Sequence, residues 1–261
     1  MILLYKVPLI IFALLTSLSF AQSSYLQLGD SYYTLRAENS KNNMANGKNV
    51  KEAIKYYNLA LEDSSTKEEA AWKLLRAYYF LGCFTMPNTK DREIFFADTK
   101  KQGKSLFLEF PENPEIAYWY SVNLALWAST VNPITAWHAG SVTETREIAQ
   151  MLMATEKKGN KISAARGYQI LGRAHHKIPN IIFVLNWVKR DSSEYYLKKS
   201  MNLNPNDLVT RLFLAEYYKE IGKEQEAENL LLPVIKNRPR YESYLEDERN
   251  FIKMRRLLPE L

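Results

Sequence analysis

An all-α fold, built as a stack of antiparallel helical hairpins, is what this sequence predicts, and three observations predict it. Apolar residues recur at spacings of three and four along most of the chain. No convincing run alternates polar with apolar β-branched residues, as a half-buried strand would. The periodic stretches stop at residues that helices use as punctuation, among them Gly82, Pro111, Gly159, Pro179, Gly222 and Pro239. Composition agrees. With 46% hydrophobic and 25% charged residues the chain has enough apolar surface to pack, which excludes wholesale disorder. Nine Gly and ten Pro in 261 residues are too few for a turn-rich all-β fold.

The N-terminus carries an address. Lys6 is the only charge in the first 21 residues, and residues 7–19 are almost wholly apolar or small. Ser19 and Ala21 place small residues where a signal peptidase reads, followed by the polar Gln22-Ser23-Ser24. The expectation is a signal peptide over 1–21, cut after Ala21, and a helical domain over 22–261 in the periplasm or outside the cell. The apolar core is short of the ~20 residues that span a bilayer. The competing reading is an uncleaved anchor, through which alone the chain would meet a membrane. Cys83, the single cysteine, lies far from the cut, so neither a lipid attachment there nor an internal disulfide is available.

Taken in order, helices are expected over 25–37, 50–62, 67–81, 91–109, 115–129, 142–157, 162–177, 192–201, 208–221 and 224–237. Asp207 and Thr66 read as N-caps, and Thr66 with Glu69 has the spacing of a capping box. The stretches 131–139 and 180–188 carry the weakest pattern. Residues 208–241 repeat most clearly. Leu214, Tyr218, Gly222, Ala227, Leu231 and Pro239 fall at positions 7, 11, 15, 20, 24 and 32 of a 34-residue unit counted from Leu208. Elsewhere Tyr25-x2-Leu28-Gly29-x2-Tyr32, Ala53-x3-Tyr57, Trp72-x2-Leu75-x3-Tyr79 and Tyr168-x2-Leu171-Gly172-x2-His175 fit parts of the same template.

These residues resemble the tetratricopeptide repeat (TPR), a helix–turn–helix in which a small residue on one helix faces a bulky one on the other. The run Gly167-Tyr168-Gln169-Ile170-Leu171-Gly172-Arg173, with the later Ala227 repeat, is similar to two divergent branches of that superfamily: the regulator of microtubule dynamics proteins and the periplasmic T-component of TRAP transporters. The resemblance implies an α-α superhelix. Segment 244–258, ending Arg255-Arg256-Leu257-Leu258, resembles the helix that caps the apolar end of such a stack.

Catalytic chemistry finds little support. There is no H-x-x-x-H, no G-x-S-x-G and no P-loop. His175 and His176 are adjacent, so on a helix they point about 100° apart and cannot chelate one ion as an i, i+4 pair can. His175 occupies a packing position of the repeat. Cys83 reads as a spectator thiol. The net charge of +6 is spread over short pairs such as Lys157-Lys158, without the massed stripe of a nucleic-acid binder. The expectation is a protein that is no enzyme, needs no cofactor and no metal, and binds no nucleic acid.

Binding remains. In the TPR family, set positions of each first helix line a concave groove. Carried onto this chain, they are Arg166, Gln169, Arg173 and His176 in one unit, Lys73 in another, Tyr118 in a third, and Glu216 and Lys219 in the last. The unit with Arg166 and Arg173 is the most cationic and would suit a carboxylate, although Arg173 equally suits an ion pair with a neighbouring helix. Trp119, Trp127 and Trp137 lie within one short stretch and read either as aromatic core or as the wall of a pocket for a small hydrophobic or carboxylate ligand. Two functions follow. One is a scaffold that holds a protein or peptide in the groove. The alternative is a ligand-binding accessory component of a solute transporter, with an internal pocket near Trp127 and Arg173.

Overall fold

The computed structural model describes residues 25–179 and 186–258; the expected signal segment lies outside them. The described residues form helices joined in consecutive hairpins, with no sheet and only an isolated bridge between Lys41 and Met44. Helix α1 (residues 25–34) pairs with α2 (Lys48–Ala60), and α3 (Lys67–Thr85) with α4 (Thr89–Glu109). The third hairpin is α5 (Pro114–Thr130) and α7 (Ser141–Ala154), with the short α6 (Pro133–His138) between them. Helices α8 (Lys161–Lys177) and α9 (Ser192–Leu203) make the fourth, α10 (Leu208–Glu220) and α11 (Glu224–Leu231) the fifth, and α12 (Tyr244–Leu257) follows alone. The first helices pack side by side, α3 on α5, α5 on α8 and α8 on α10, as the inner layer of a superhelix.

Side-chain size explains the hairpins. The glycine of each Leu-Gly pair faces a bulky residue of its partner helix. A Cβ on Gly29 would sit 2.5 Å from the Tyr57 ring, and one on Gly172 would sit 2.6 Å from Leu197 Cγ. Ala53, Ala60, Ala70, Ala71 and Ala77 are fully buried, so the axes approach to roughly 8–10 Å while Tyr57, Leu74 and Leu75 fill the remaining space. One apolar core runs through the first three hairpins and a second joins the last two to α12. Asn113 and Asn132 cap α5 and α6 through their side chains, each ahead of a proline whose missing N–H needs no partner in a first turn. Asp207 caps α10 as expected, accepting from the N–H groups of Val209 and Thr210.

Several boundaries differ from expectation, each for a local reason. Helix α3 does not stop at Gly82 but runs to Thr85; Gly82 is where the Phe96 ring of α4 presses against the helix. The capping box at Thr66 does not form. The Thr66 hydroxyl donates back to the carbonyl of Ala60, and Glu69 pairs with Lys73 instead. Helix α11 ends at Leu231 rather than 237, because Pro233 has no N–H for the next turn. The weak stretch 131–139 contains α6, and of 180–188 only the last three residues are described.

The largest departure concerns the end of the chain. Helix α12 covers the last hairpin, as a cap should: Phe251 and Met254 are buried in its core. It also reaches the opposite end of the superhelix. Leu245 is buried in the core of the first three hairpins. Arg36, just past α1, donates to Glu246 Oε1 at 2.8 Å and to the Glu242 carbonyl. Arg249 donates to the carbonyls of Cys83 and Asn43 at 2.7 and 3.2 Å and lies 3.6 Å above the Phe84 ring. The capping helix is therefore also a strut between the two ends.

Candidate partner-binding face

The side chains expected to line the groove lie on the inner layer, and most of the charged ones are already engaged by the neighbouring inner helix. Lys73 is buried and holds Asp30 of α1 and Glu69 of its own helix, each at 2.6 Å. Arg166 of α8 pairs with Glu115 of α5 and covers the Tyr118 ring at 4.3 Å. Gln169 donates to the Thr210 hydroxyl at 2.8 Å and to Asp207. Arg173 pairs with Glu216 at 2.5 Å and stacks 4.0 Å over Phe213. Of the two roles open to Arg173, the structure realises the ion pair. These contacts form a polar ladder that links α1 to α3, α5 to α8 and α8 to α10.

The remaining expected residues fall into different places. His176 is buried edge-on against Tyr217, with Nε2 2.9 Å from Glu220 Oε2 but not aligned as a hydrogen bond. Burial holds its pKa below the usual histidine value against the opposing pull of Glu220. Lys219 pairs loosely with Glu224 at 3.6 Å. Burial pushes the Tyr118 phenol up to about 12. Half-exposed residues of the first helices include Trp72, Tyr118, Trp119 and Arg166 as well as Arg173, Phe213 and Glu216.

The three tryptophans do not share a pocket. Trp119 packs on Tyr79, with ring centroids 5.5 Å apart, next to the main core. Trp127 is buried with Phe96 and Ala136, and the Lys100 ammonium lies 3.1 Å above its ring. Trp137 belongs to a cluster with Val142, Val188 and Trp187. Trp127 and Arg173 have different neighbours, Trp127 lying with Phe96 and Ala136 and Arg173 with Phe213 and Glu216. Cys83 is largely buried, and desolvation pushes its thiol up to about 11, which leaves almost no thiolate at neutral pH.

One cavity was missed by the sequence reading. It has a volume of about 440 Å³ and is walled by α7, α8, α9 and the loop before α9, with Arg146, His175, Trp187, Lys189 and Tyr196 among its lining residues. Trp187 lies in, and Lys189 just after, the stretch 180–188 whose sequence pattern is weak.

The sequence matches no protein-family model and none of the curated proteins. Among solved structures, the chain is similar to a thermophilic TPR protein of Thermus thermophilus, TTC0263, with a TM-score of 0.59 at 16% identity. The similarity covers 90% of this chain and 98% of that one. The fold is a divergent TPR superhelix. Within it, α1, α3, α5, α8 and α10 are the first helices of the repeats, and the ladder described above runs along the inner wall of the superhelix.

Proposed function

We propose that this chain is a non-enzymatic scaffold, exported by its N-terminal segment, that binds a protein or peptide partner along the inner face of its TPR superhelix. One observation carries the reading. The superhelix already grips a helix of its own: α12 is held against the first three hairpins by the apolar anchor Leu245 and by the charged contacts of Glu246 and Arg249. A surface that grips an amphipathic helix in this way has the chemistry of helix-in-groove recognition. Trp72, Tyr118, Trp119 and Arg166 stay half-exposed on the first helices. Aromatic and arginine side chains of this kind are those that dominate binding energy at interfaces. No helix among the described residues is long and apolar enough to cross a membrane.

Site-specific photocrosslinking tests the groove. A crosslinking amino acid at Trp72 is expected to trap a discrete partner in the native host, whereas the same group at Tyr195, which is 57% exposed on α9, is expected to trap none. Adducts only from Tyr195 would move the interface to the outer layer. Export is tested separately by N-terminal sequencing, with a mature chain expected to start at Gln22.

A further inference from the structure

We infer that the cavity between α7, α8 and α9 is a binding site for a small aromatic carboxylic acid. The argument is independent of the partner-binding face, because the cavity lies between a first helix and two second helices of the repeats, and its lining residues take no part in the inner ladder. Its lining combines the cations Arg146 and Lys189 with His175, the mixed donor–acceptors Gln150, Asn186 and Ser192, and the rings of Trp187 and Tyr196.

His175 sets the orientation of the donors. Its Nδ1 accepts the backbone N–H of Lys189 at 2.9 Å, so the ring must keep a lone pair there and carry its proton on Nε2. That Nε2–H has no acceptor among the described residues. The ring is stacked on Tyr196, with centroids 5.0 Å apart and planes within 8°, and meets Trp187 edge-on at 5.4 Å. The three rings pack on one another, so Trp187 and Tyr196 border the cavity as a wall against which a flat apolar body can lie.

Two cations line the cavity. Arg146 lies 5.2 Å from the Trp187 ring, and Lys189 is the second. Neither is in an ion pair among the described residues, whereas Arg166, Arg173, Lys177, Arg190 and Lys198 nearby all are. Gln150 adds an amide, and no lining residue is acidic. Burial and the charges of Arg146 and Lys189 all hold His175 in its neutral, donating form. Arginine presents paired N–H groups that match a carboxylate. A ligand with a carboxylate at one end and a ring at the other pairs with these cations and lies against Trp187 and Tyr196. A volume of about 440 Å³ lies in the usual range for small-molecule sites.

The experiment is calorimetric titration of the full chain with 2-naphthoate and, separately, with its neutral isostere 2-naphthamide. The acid is expected to bind one per chain and at least about tenfold more tightly than the amide, the difference that one charge-assisted contact makes. R146Q is expected to weaken the acid by about tenfold and leave the amide unchanged. K189Q, at an exposed position, should shift the acid in the same direction. Equal binding of acid and amide, binding of the acid unaffected by both substitutions, or no saturable binding by either compound would overturn the assignment.

Discussion

Arg36 and Glu246 are separated by 210 positions in sequence and meet at 2.8 Å, where both side chains are largely out of solvent. The pair joins the end of α1 to the start of α12, so it closes the superhelix from first repeat to last helix. Glu246→Ala leaves the Arg36 guanidinium buried with only carbonyl partners, and losing one side of a buried pair costs about 3 kcal/mol. The double substitution R36A/E246A should cost less than the sum of its parts, since it removes the stranded charge. Urea unfolding measures both. Hydrogen exchange should show α12 loosened first in E246A; a uniform loss across all repeats would mean that the contact is not a local latch.

Gly172 faces Leu197 so closely that an added Cβ would also meet the Leu197 backbone nitrogen at 3.1 Å. Backbone cannot swing aside as a side-chain end can. Gly172→Ala is therefore expected to push α8 and α9 apart and destabilise by about 1–3 kcal/mol. Gly222 is a contrast, since nothing lies within 4 Å of its added Cβ but its φ is +76°. Gly222→Ala should cost about 1 kcal/mol from backbone strain alone. Thermal unfolding of the two variants separates crowding from strain, and equal small losses would show that the α8–α9 contact has room to relax.

How far the sequence reaches follows from these residues. Gly29, Gly172 and Ala227 could be matched to bulky partners because the repeat spaces them within about 30 residues, where periodicity is visible. The inner ladder could be placed but not paired. Spacing put Arg173 on the inner face, yet nothing in the order of residues says that Glu216, rather than a ligand, answers it. The strut was invisible for a different reason. Leu245, Phe251 and Met254 have the helical spacing of any cap, and the contacts of Arg36 and Arg249 depend on how far the superhelix curves back. The cavity at Trp187 draws on the weakly patterned stretch 180–188, to which the repeat template assigns no position. Thr66 misled because a capping box needs its glutamate free, and Glu69 is taken by Lys73.

His175 makes stability depend on mild acid. Burial comes first, and Arg146 and Lys189 add to it, in holding its folded pKa below the ordinary value near 6.5. The unfolded chain thus takes up its proton at a higher pH than the folded chain. The stability from the neutral ring is fully present above about 6.5 and falls as the pH drops through the folded pKa. His175→Gln keeps an acceptor for the Lys189 N–H but cannot titrate. Between about pH 7.5 and 5.5, urea midpoints of this variant should fall less than those of the parent. Parallel curves would place the acid sensitivity elsewhere, with His176 the next group to replace.

Glu194 governs a lower window. It lies on α9 and accepts from Lys198 at 2.6 Å, Tyr218 at 2.9 Å and Lys223 at 3.1 Å, so one carboxylate ties α9 to α10 and to the start of α11. Lys198 is the chief cause of a pKa held at about 2, and Lys223 and Tyr218 act in the same direction against partial desolvation. An unfolded glutamate titrates near 4.3. Its contribution is therefore complete above that value and disappears as the pH falls through about 2. Glu194→Gln removes the ionised form at every pH. The variant should be less stable than the parent at neutral pH, and the gap should narrow as acid is added between about pH 4.5 and 2. Melting temperatures across that interval decide it: a gap that stays constant would mean that the three donors act through packing rather than through the charge they surround.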